Sequence, residues 1–349
     1  MSGKNRLSAE DIRTARAEND KLRARDLAAK LGITEAALVA ADIGHTVTRI
    51  EAHPDRVIAH VMNLGPVMAL TRNESCVIEK VGVFENYRGG EHATMVVNKD
   101  IDSRFFPRHW VHAFAIDDGA RRSVQIFDAA GDAVHKIFLR EESDLQEWQK
   151  QVTALALADQ SADLSLSERV PTEPPRADPD KADRLRAEWD QMTDTHQFMG
   201  ILRKLKMNRL GAYRIAGAPY VRPLPGDAVD TLLSNLSGTG IHVMIFVGNM
   251  GCIQIHGGPV DTVKPMGPWL NVLDPGFNLH LRADHIAEVV AVAKSSRQGP
   301  ALSVEAFDKD GMLILQIFGT RREDPAHFDA FAEMVAALVA QAAPVEAAE

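Results

Sequence analysis

Apolar and polar positions along this chain fall into two rhythms. From Val67 the period is close to two: Val67-Met68-Ala69-Leu70-Thr71, a polar break at Arg72-Asn73-Glu74, then Ser75-Cys76-Val77-Ile78-Glu79, which predicts a β-hairpin. Further strands are predicted over 93–98, 110–116 and 123–129, and Gly131 turns the chain into another over 133–139. Around these strands the rhythm lengthens. Ser8-Ala9-Glu10-Asp11 is a capping-box signature ahead of a charged segment, 11–30, that predicts a helix with a solvated outer face. Leu31-Gly32-Ile33-Thr34 interrupts it, a second helix starts over 35–41, and an amphipathic helix is predicted from Asp144 to Leu155.

The second half of the chain repeats the first. Val243-Met244-Ile245-Phe246-Val247, Gly248-Asn249-Met250-Gly251 and Cys252-Ile253-Gln254-Ile255 answer the hairpin, with Asn249 and Cys252 at the places of Asn73 and Cys76. Phe307-Asp308, Gly311 and Phe318 reproduce the spacing of Phe127-Asp128, Gly131 and Phe138, and both halves close on a helix, 145–155 and 328–338. Matches in the same order with the same flanking helices indicate a tandem duplication. Helices followed by strands joined through tight turns imply an α+β fold: two similar domains, each a large, mainly antiparallel sheet with flanking helices. A charged stretch holding Pro171, Pro174, Pro175 and Pro179 separates them. The expected organisation is therefore one repeat over 1–165, a linker over 166–182 and a second repeat over 183–349.

Composition narrows the chemistry. A chain of 349 residues, 45% hydrophobic, can bury two cores. Its formal charge of −9 argues against a phosphate-binding surface, although the helix-Gly-helix pattern over 11–41 also fits a helix-turn-helix DNA module. Cys76 and Cys252 are too few for a disulfide framework and read as reduced core residues of a cytoplasmic protein. Met1 to Arg6 lacks an apolar leader segment, and no apolar run approaches the roughly 18 residues that span a bilayer, so no membrane insertion is expected. Dinucleotide, P-loop, GxSxG, HExxH and CxxC signatures are absent.

The stretch with candidate chemistry is Asp194-Thr195-His196-Gln197-Phe198-Met199-Gly200. Asp194 and Gln197 form a capping box that puts His196 in the first turn of a helix, where the positive end of the helix dipole favours a neutral ring able to donate a lone pair to a metal. Gly200, one turn on, costs about 1 kcal/mol against alanine in a helix and leaves room for something flat beside that face. An ordinary capping or surface histidine satisfies the same pattern. Met199 and Met207 read as core residues, and His242, His256 and His280 as strand histidines bonded within the fold.

Divergence between the copies adds to this. His196 has no counterpart around Asp26-Leu27-Ala28-Ala29-Lys30, and Ile314-Leu315-Gln316-Ile317-Phe318-Gly319-Thr320 is more apolar than Val134-His135-Lys136-Ile137-Phe138-Leu139-Arg140. A single Gln in an apolar strand suits either a pocket wall or a plain buried strand.

Several stretches carry a family pattern: His196-Gln197-Phe198, the run from Gly248 to Val260, the run from Gly267 to Pro275, Phe277 to Leu281, and Gln316 to Gly319. On these the chain resembles, over nearly its whole length, the HemS/HmuS-type cytoplasmic haem-handling proteins of Gram-negative bacteria. The resemblance implies one haem b (iron protoporphyrin IX) held in a cleft between two similar halves. His196 matches the family's proximal axial ligand, and Arg104 its distal arginine, which would hold an iron-bound ligand by hydrogen bonding because a guanidinium is a poor iron ligand. Arg209, Lys294 and Arg321 match basic positions near the propionates, and Phe246, Gln316 and Phe318 match the pocket wall. Lys294 stands in Ala293-Lys294-Ser295-Ser296, surroundings that depart from the family pattern. Taken alone, Arg209 also reads as a solvated helix-end arginine and Arg321 as a surface residue after a strand.

The function implied is a cytoplasmic protein that receives imported haem, with a haem-import transporter and a downstream haem acceptor or haem oxygenase as partners. The alternative is an enzyme that opens the porphyrin oxidatively, with Arg104 in a catalytic part. A DNA-binding regulator is a third reading, and the acidic charge opposes it.

Overall fold

The computed structural model describes residues 7–342, so the stretch Met1 to Arg6 read above for a leader lies outside the described residues. The chain divides into two units. The first holds the chain up to Arg72, Glu79–Val170 and Gly248–Gln254; the second holds Asn73–Ile78, Pro171–Val247 and the chain from Ile255 onward. Each unit thus includes a short segment that the sequence places in the opposite half.

In the first unit five antiparallel strands lie in the order Val47–Ile50, His112–Asp117, Arg122–Phe127, Ala133–Leu139, Val67–Arg72. In the second, Val221–Leu224, Glu288–Lys294, Ala301–Phe307, Leu313–Gly319 and Val243–Gly248 take the same order. The copies agree in fine detail. The register shifts between Ile126 and Phe127 in one and between Ala306 and Phe307 in the other, and Gly131 and Gly311 both turn with φ of 84°. The duplicated, mainly antiparallel α+β architecture expected from the sequence is what folds.

The matched asparagines explain why the hairpin tips are alike. Asn73 Oδ1 accepts the backbone N–H groups of Ser75 and Cys76, both at 2.9 Å, while its amide donates to Ile314 O at 2.8 Å. Asn249 Oδ1 accepts from Gly251 and Cys252, and its amide donates at 2.8 Å to Val134 O, the residue matching Ile314. A side-chain amide that closes its own turn and answers a buried carbonyl leaves no orphan polar group at either tip. Both cysteines are buried and free, as expected, and burial pushes the Cys252 thiol up to about 12.

Two expectations change. The charged segment 11–30 is two helices, Ala9–Glu18 and Ala24–Leu31, because the Asn19 amide bonds back to Ala15 O at 2.7 Å and ends the first. Met199 is not core; it is 48% exposed, while Met207 is buried as expected. Among the described residues no helix is long and apolar enough to cross a membrane.

The proline-rich stretch is held down in the second unit. Asn208 Nδ2 donates to Pro174 O at 2.7 Å and Arg176 N donates to Asn208 Oδ1 at 2.8 Å, at the start of the helix Arg209–Ala216. A Cβ at Gly211 would lie 2.2 Å from Arg176 O, so only glycine admits this approach. Alanine would gain about 1 kcal/mol of helix propensity. Gly211→Ala should nevertheless lower stability by about 1–3 kcal/mol through overpacking, seen as a lower urea midpoint. A variant of equal or higher midpoint would show that this approach is not tight.

Candidate functional site

Apolar residues at Phe198, Ile201, Leu202 and Leu205 give the helix Gln197–Leu205 one buried face. Its other face carries Met199, Gly200 and Arg203 to solvent. Just ahead, Gln197 Oε1 accepts the backbone N–H groups of Thr193 and Asp194 at 2.8 and 3.3 Å, and Asp194 Oδ1 accepts that of His196 at 2.8 Å. These bonds tie the turn ahead of the helix, but the expected capping box does not form at its start: the helix begins at Gln197, with His196 as its N-cap residue rather than a first-turn one and no side-chain cap.

His196 is the most open of the candidate residues, with its side chain 94% exposed. Its Nδ1 lies 2.6 Å from Asp194 Oδ1. A proton on Nδ1 donated to that carboxylate leaves the lone pair on Nε2, the arrangement that second-sphere carboxylates give to metal-ligating histidines. The backbone N–H and then the ring of His196 hold the Asp194 carboxyl below its ordinary value. Around a Cβ placed on Gly200 there is open space to 4 Å, so the face one turn along from His196 is unobstructed by the protein.

Five further candidates gather on one face of the second unit's sheet. Pairing sets Phe246 opposite Gln316, Gln316 opposite Glu305, and Phe318 opposite Ser303. Alternation sends Val243, Ile245, Val247, Leu315 and Ile317 to the apolar core and leaves Phe246, Gln316 and Phe318 half-buried on the other side. The Phe246 and Phe318 rings meet edge to face at 5.2 Å.

At the centre stands Glu305, which sequence reasoning missed, with no exposed surface. Lys294 Nζ donates to its Oε1 at 2.7 Å and Ser303 Oγ at 2.9 Å, while Arg209 Nη1 donates to Oε2 at 3.3 Å. Tyr213 OH lies 3.1 and 3.0 Å from the two oxygens. Burial alone would raise the Glu305 carboxyl, but Lys294, Arg209 and the hydrogen bonds bring it down to about 2, while burial lowers Lys294 to about 8 despite Glu305. The sign that could have revealed Glu305 is its place in Ser303-Val304-Glu305-Ala306-Phe307, a charge at a strand position flanked by apolar residues.

The remaining candidates lie elsewhere. Arg321 follows the strand Leu313–Gly319; its guanidinium stacks 3.2 Å from the Phe328 ring centre and donates to Pro300 O at 3.1 Å. Arg104, in the first unit, sits on the strand Asp102–Phe105 and pairs with Asp102, donating also to Ser103 O at 3.2 Å. Met199 connects the histidine's helix to the sheet cluster, its sulfur 3.6 Å from Arg209 Nη2. As expected, His256 and His280 are bonded within the fold, to Pro259 O and Asn271 Oδ1 at 3.0 and 2.7 Å, and His242 pairs with Glu323 at 2.8 Å.

Comparison with known proteins shows what the chain as a whole is similar to. The model of the haemin-degrading HemS/ChuX domain matches residues 32–155 and 206–338, one copy in each half. The hemin transport protein HmuS of Yersinia pestis is 34% identical over 93% of this chain and 95% of its own length. Crystal structures of apo- and holo-PhuS, a heme-binding protein from Pseudomonas aeruginosa, superpose with a TM-score of 0.88 at 40% identity, covering 93% of this chain and 97% of theirs. ChuS, an E. coli heme oxygenase, superposes at 0.84 with 31% identity, covering 94% of this chain and 99% of its own.

Because the folded Glu305 pKa lies below its ordinary 4.5, the unfolded chain binds more protons between those values and stability falls as pH drops from about 4.5 to about 2. Glu305→Gln, which cannot titrate, should show a flatter dependence of the urea midpoint on pH over that window than the wild type. Equal slopes would show that Glu305 is not held ionised.

Proposed function

The chain belongs to the haemin-degrading HemS/ChuX family, and we propose that it binds haem b through His196 and passes it on in cytoplasmic haem and iron utilisation. The observation that carries this reading is the exposed His196 ring with its Nδ1 tied to Asp194, which leaves Nε2 as a single outward-facing nitrogen. Among the described residues no group of three or more His, Cys, Asp or Glu is placed to hold a metal ion. A haem iron, already carrying four porphyrin nitrogens, needs only an axial donor of this kind.

Other residues fit the rest of the cargo. The open face at Gly200 and the half-buried Phe246 and Phe318 rings suit a flat apolar macrocycle, and Arg209, partly exposed, suits a propionate. Lys294, Gln316 and Arg321 complete the assignment that the resemblance makes, with Arg104 given the distal role. A site held by one protein ligand also suits transfer, since one bond decides release. Partners in this reading are a haem-import transporter as donor and a haem acceptor or haem oxygenase downstream.

The name of ChuS as a heme oxygenase favours a second reading, in which this chain opens the ring with O2 and a reductant. Bilin and CO formed in proportion to haem lost, and insensitive to catalase, would establish it; loss of the Soret band that catalase abolishes would reduce it to peroxide damage.

His196→Ala should remove the imidazole-ligated ferric spectrum, and Asp194→Ala should weaken haem binding by about 10–100-fold by freeing the ring. Titration of the Soret band with both variants checks this. A His196→Ala spectrum identical to that of wild type would move the iron to another ligand and sink the assignment.

A further inference from the structure

Met199 takes no part in the haem-binding reading, yet it lies against a residue that does. Its side chain is half in solvent, and its sulfur is 3.6 Å from Arg209 Nη2. The other terminal nitrogen of that guanidinium, Nη1, is committed inward, to Glu305 Oε2 and Tyr213 OH, both at 3.3 Å. Among the described residues Nη2 has no oxygen to donate to, and the thioether it faces is a weak acceptor.

An exposed thioether is open to oxidation by hydrogen peroxide. Sulfur forms an S–O bond to one peroxide oxygen, the O–O bond breaks, and the departing hydroxide takes the proton of the transferred hydroxyl and leaves as water. Sulfur is oxidised by two electrons and peroxide is reduced by two. The sulfoxide oxygen carries negative charge and accepts strongly where the sulfur accepted weakly. A methionine side chain turns about three bonds, so this oxygen can reach a guanidinium nitrogen that already touches the sulfur.

We propose that Met199 is an oxidative modification site that governs Arg209: its sulfoxide captures Nη2, the nitrogen left for an outside anion, and so weakens the hold on haem. The inference rests on the haem-binding reading, in which a propionate takes that nitrogen. Met250 and Met266 are more exposed than Met199, but among the described residues neither sulfur accepts from a cation, so their oxidation has no such consequence. A protein built this way loads less haem when peroxide is present, the condition in which an iron porphyrin does oxidative damage.

The test treats the full chain, free of haem, with hydrogen peroxide, removes the excess with catalase, locates each sulfoxide by peptide mass spectrometry and titrates the Soret band. For each protein the quantity read is the ratio of haem affinities before and after oxidation. Wild type should fall by about tenfold, the scale of one charge-assisted pair. Met199→Leu, oxidised at its other methionines, should stay within about twofold. Arg209→Ala separates capture from mere polarity: it starts weaker and should lose nothing further on oxidation, whereas a sulfoxide that simply repelled the macrocycle would still cost affinity. If that variant does not fold because Glu305 is stranded, Arg209→Ala with Glu305→Gln takes its place. Four results overturn the inference and leave haem binding intact: a sulfur that peroxide does not touch, a Met199 sulfoxide that binds as before, or an equal loss in either the Met199→Leu or the arginine variant. Untreated wild type that binds no haem removes the haem reading itself, and this inference with it.

Discussion

A carboxylate with no exposed surface stays ionised only where the fold supplies enough charge and hydrogen bonds to replace water, and Glu305 sets that requirement for the second unit. Lys294, Arg209, Ser303 and Tyr213 answer it. Each comes from an element with its own packing to satisfy: Arg209 and Tyr213 from the helix that the proline-rich stretch closes over at Gly211, Lys294 and Ser303 from adjacent strands. Loss of one partner would strand a buried charge, which typically costs several kcal/mol, whereas the intact cluster is close to neutral in effect. Its contribution is therefore one of geometry. It decides which arginine nitrogens are committed inward and which remain for something outside.

The first unit solves a similar problem with the signs moved. At the places of Glu305, Gln316 and Phe246 it carries Gln125, Lys136 and Leu70, in the same pairing. The carboxylate comes instead from a helix, as Glu35, which pairs with Lys136 and, at 2.5 Å, with Arg72. There the cations stand on strands and all three groups are at most 15% exposed. In the second unit Lys294 likewise stands buried on a strand, but the other cation, Arg209, stands on a helix and is a quarter exposed. Two copies of one sheet can thus hold equivalent charge and differ in whether any of it faces outward. Duplication followed by exchange of strand and helix charges is enough to turn a wholly inward cluster into one with a cation that faces outward.

How much of this was legible follows from what leaves a local trace. Strand alternation, the Asn73 and Asn249 turns and the matched glycines depend on neighbours in sequence, so the sheets and the duplication could be read directly. The turn tied by Asp194 and Gln197 is also local and was read, although the cap of the helix sits two positions later than expected, at His196 in place of Asp194. What the sequence could not show was which residues fill places made by distant segments. Nothing local tells that Asn73 closes onto Ile314, or Asn249 onto Val134, and hence that each unit takes in a segment of the other half. Lys294 and Arg209 looked alike as cations because their difference lies in burial by Phe198, Tyr213 and Phe318, which come from other elements. Met199 was misread for a related reason: a methionine in an amphipathic helix belongs to the core only if its angle does, and here Phe198 and Ile201 take that face.

Exposure of His196 follows from the same division of labour. A ring buried at an N-cap would need partners for both nitrogens from the protein, and its ligand bond would then compete with internal ones. His196 has one nitrogen answered by Asp194, two residues away, and the rest of its side chain is open to solvent. In the proposed reading, binding would therefore demand little rearrangement of the histidine, and release would leave no buried ring nitrogen unsatisfied. The tight specification in this unit sits at Glu305, behind the arginine, whose guanidinium it holds in place. In the proposed reading, an exposed iron ligand combined with a firmly held anion partner suits a carrier, because the cluster would fix orientation while departure would depend on a single coordinate bond.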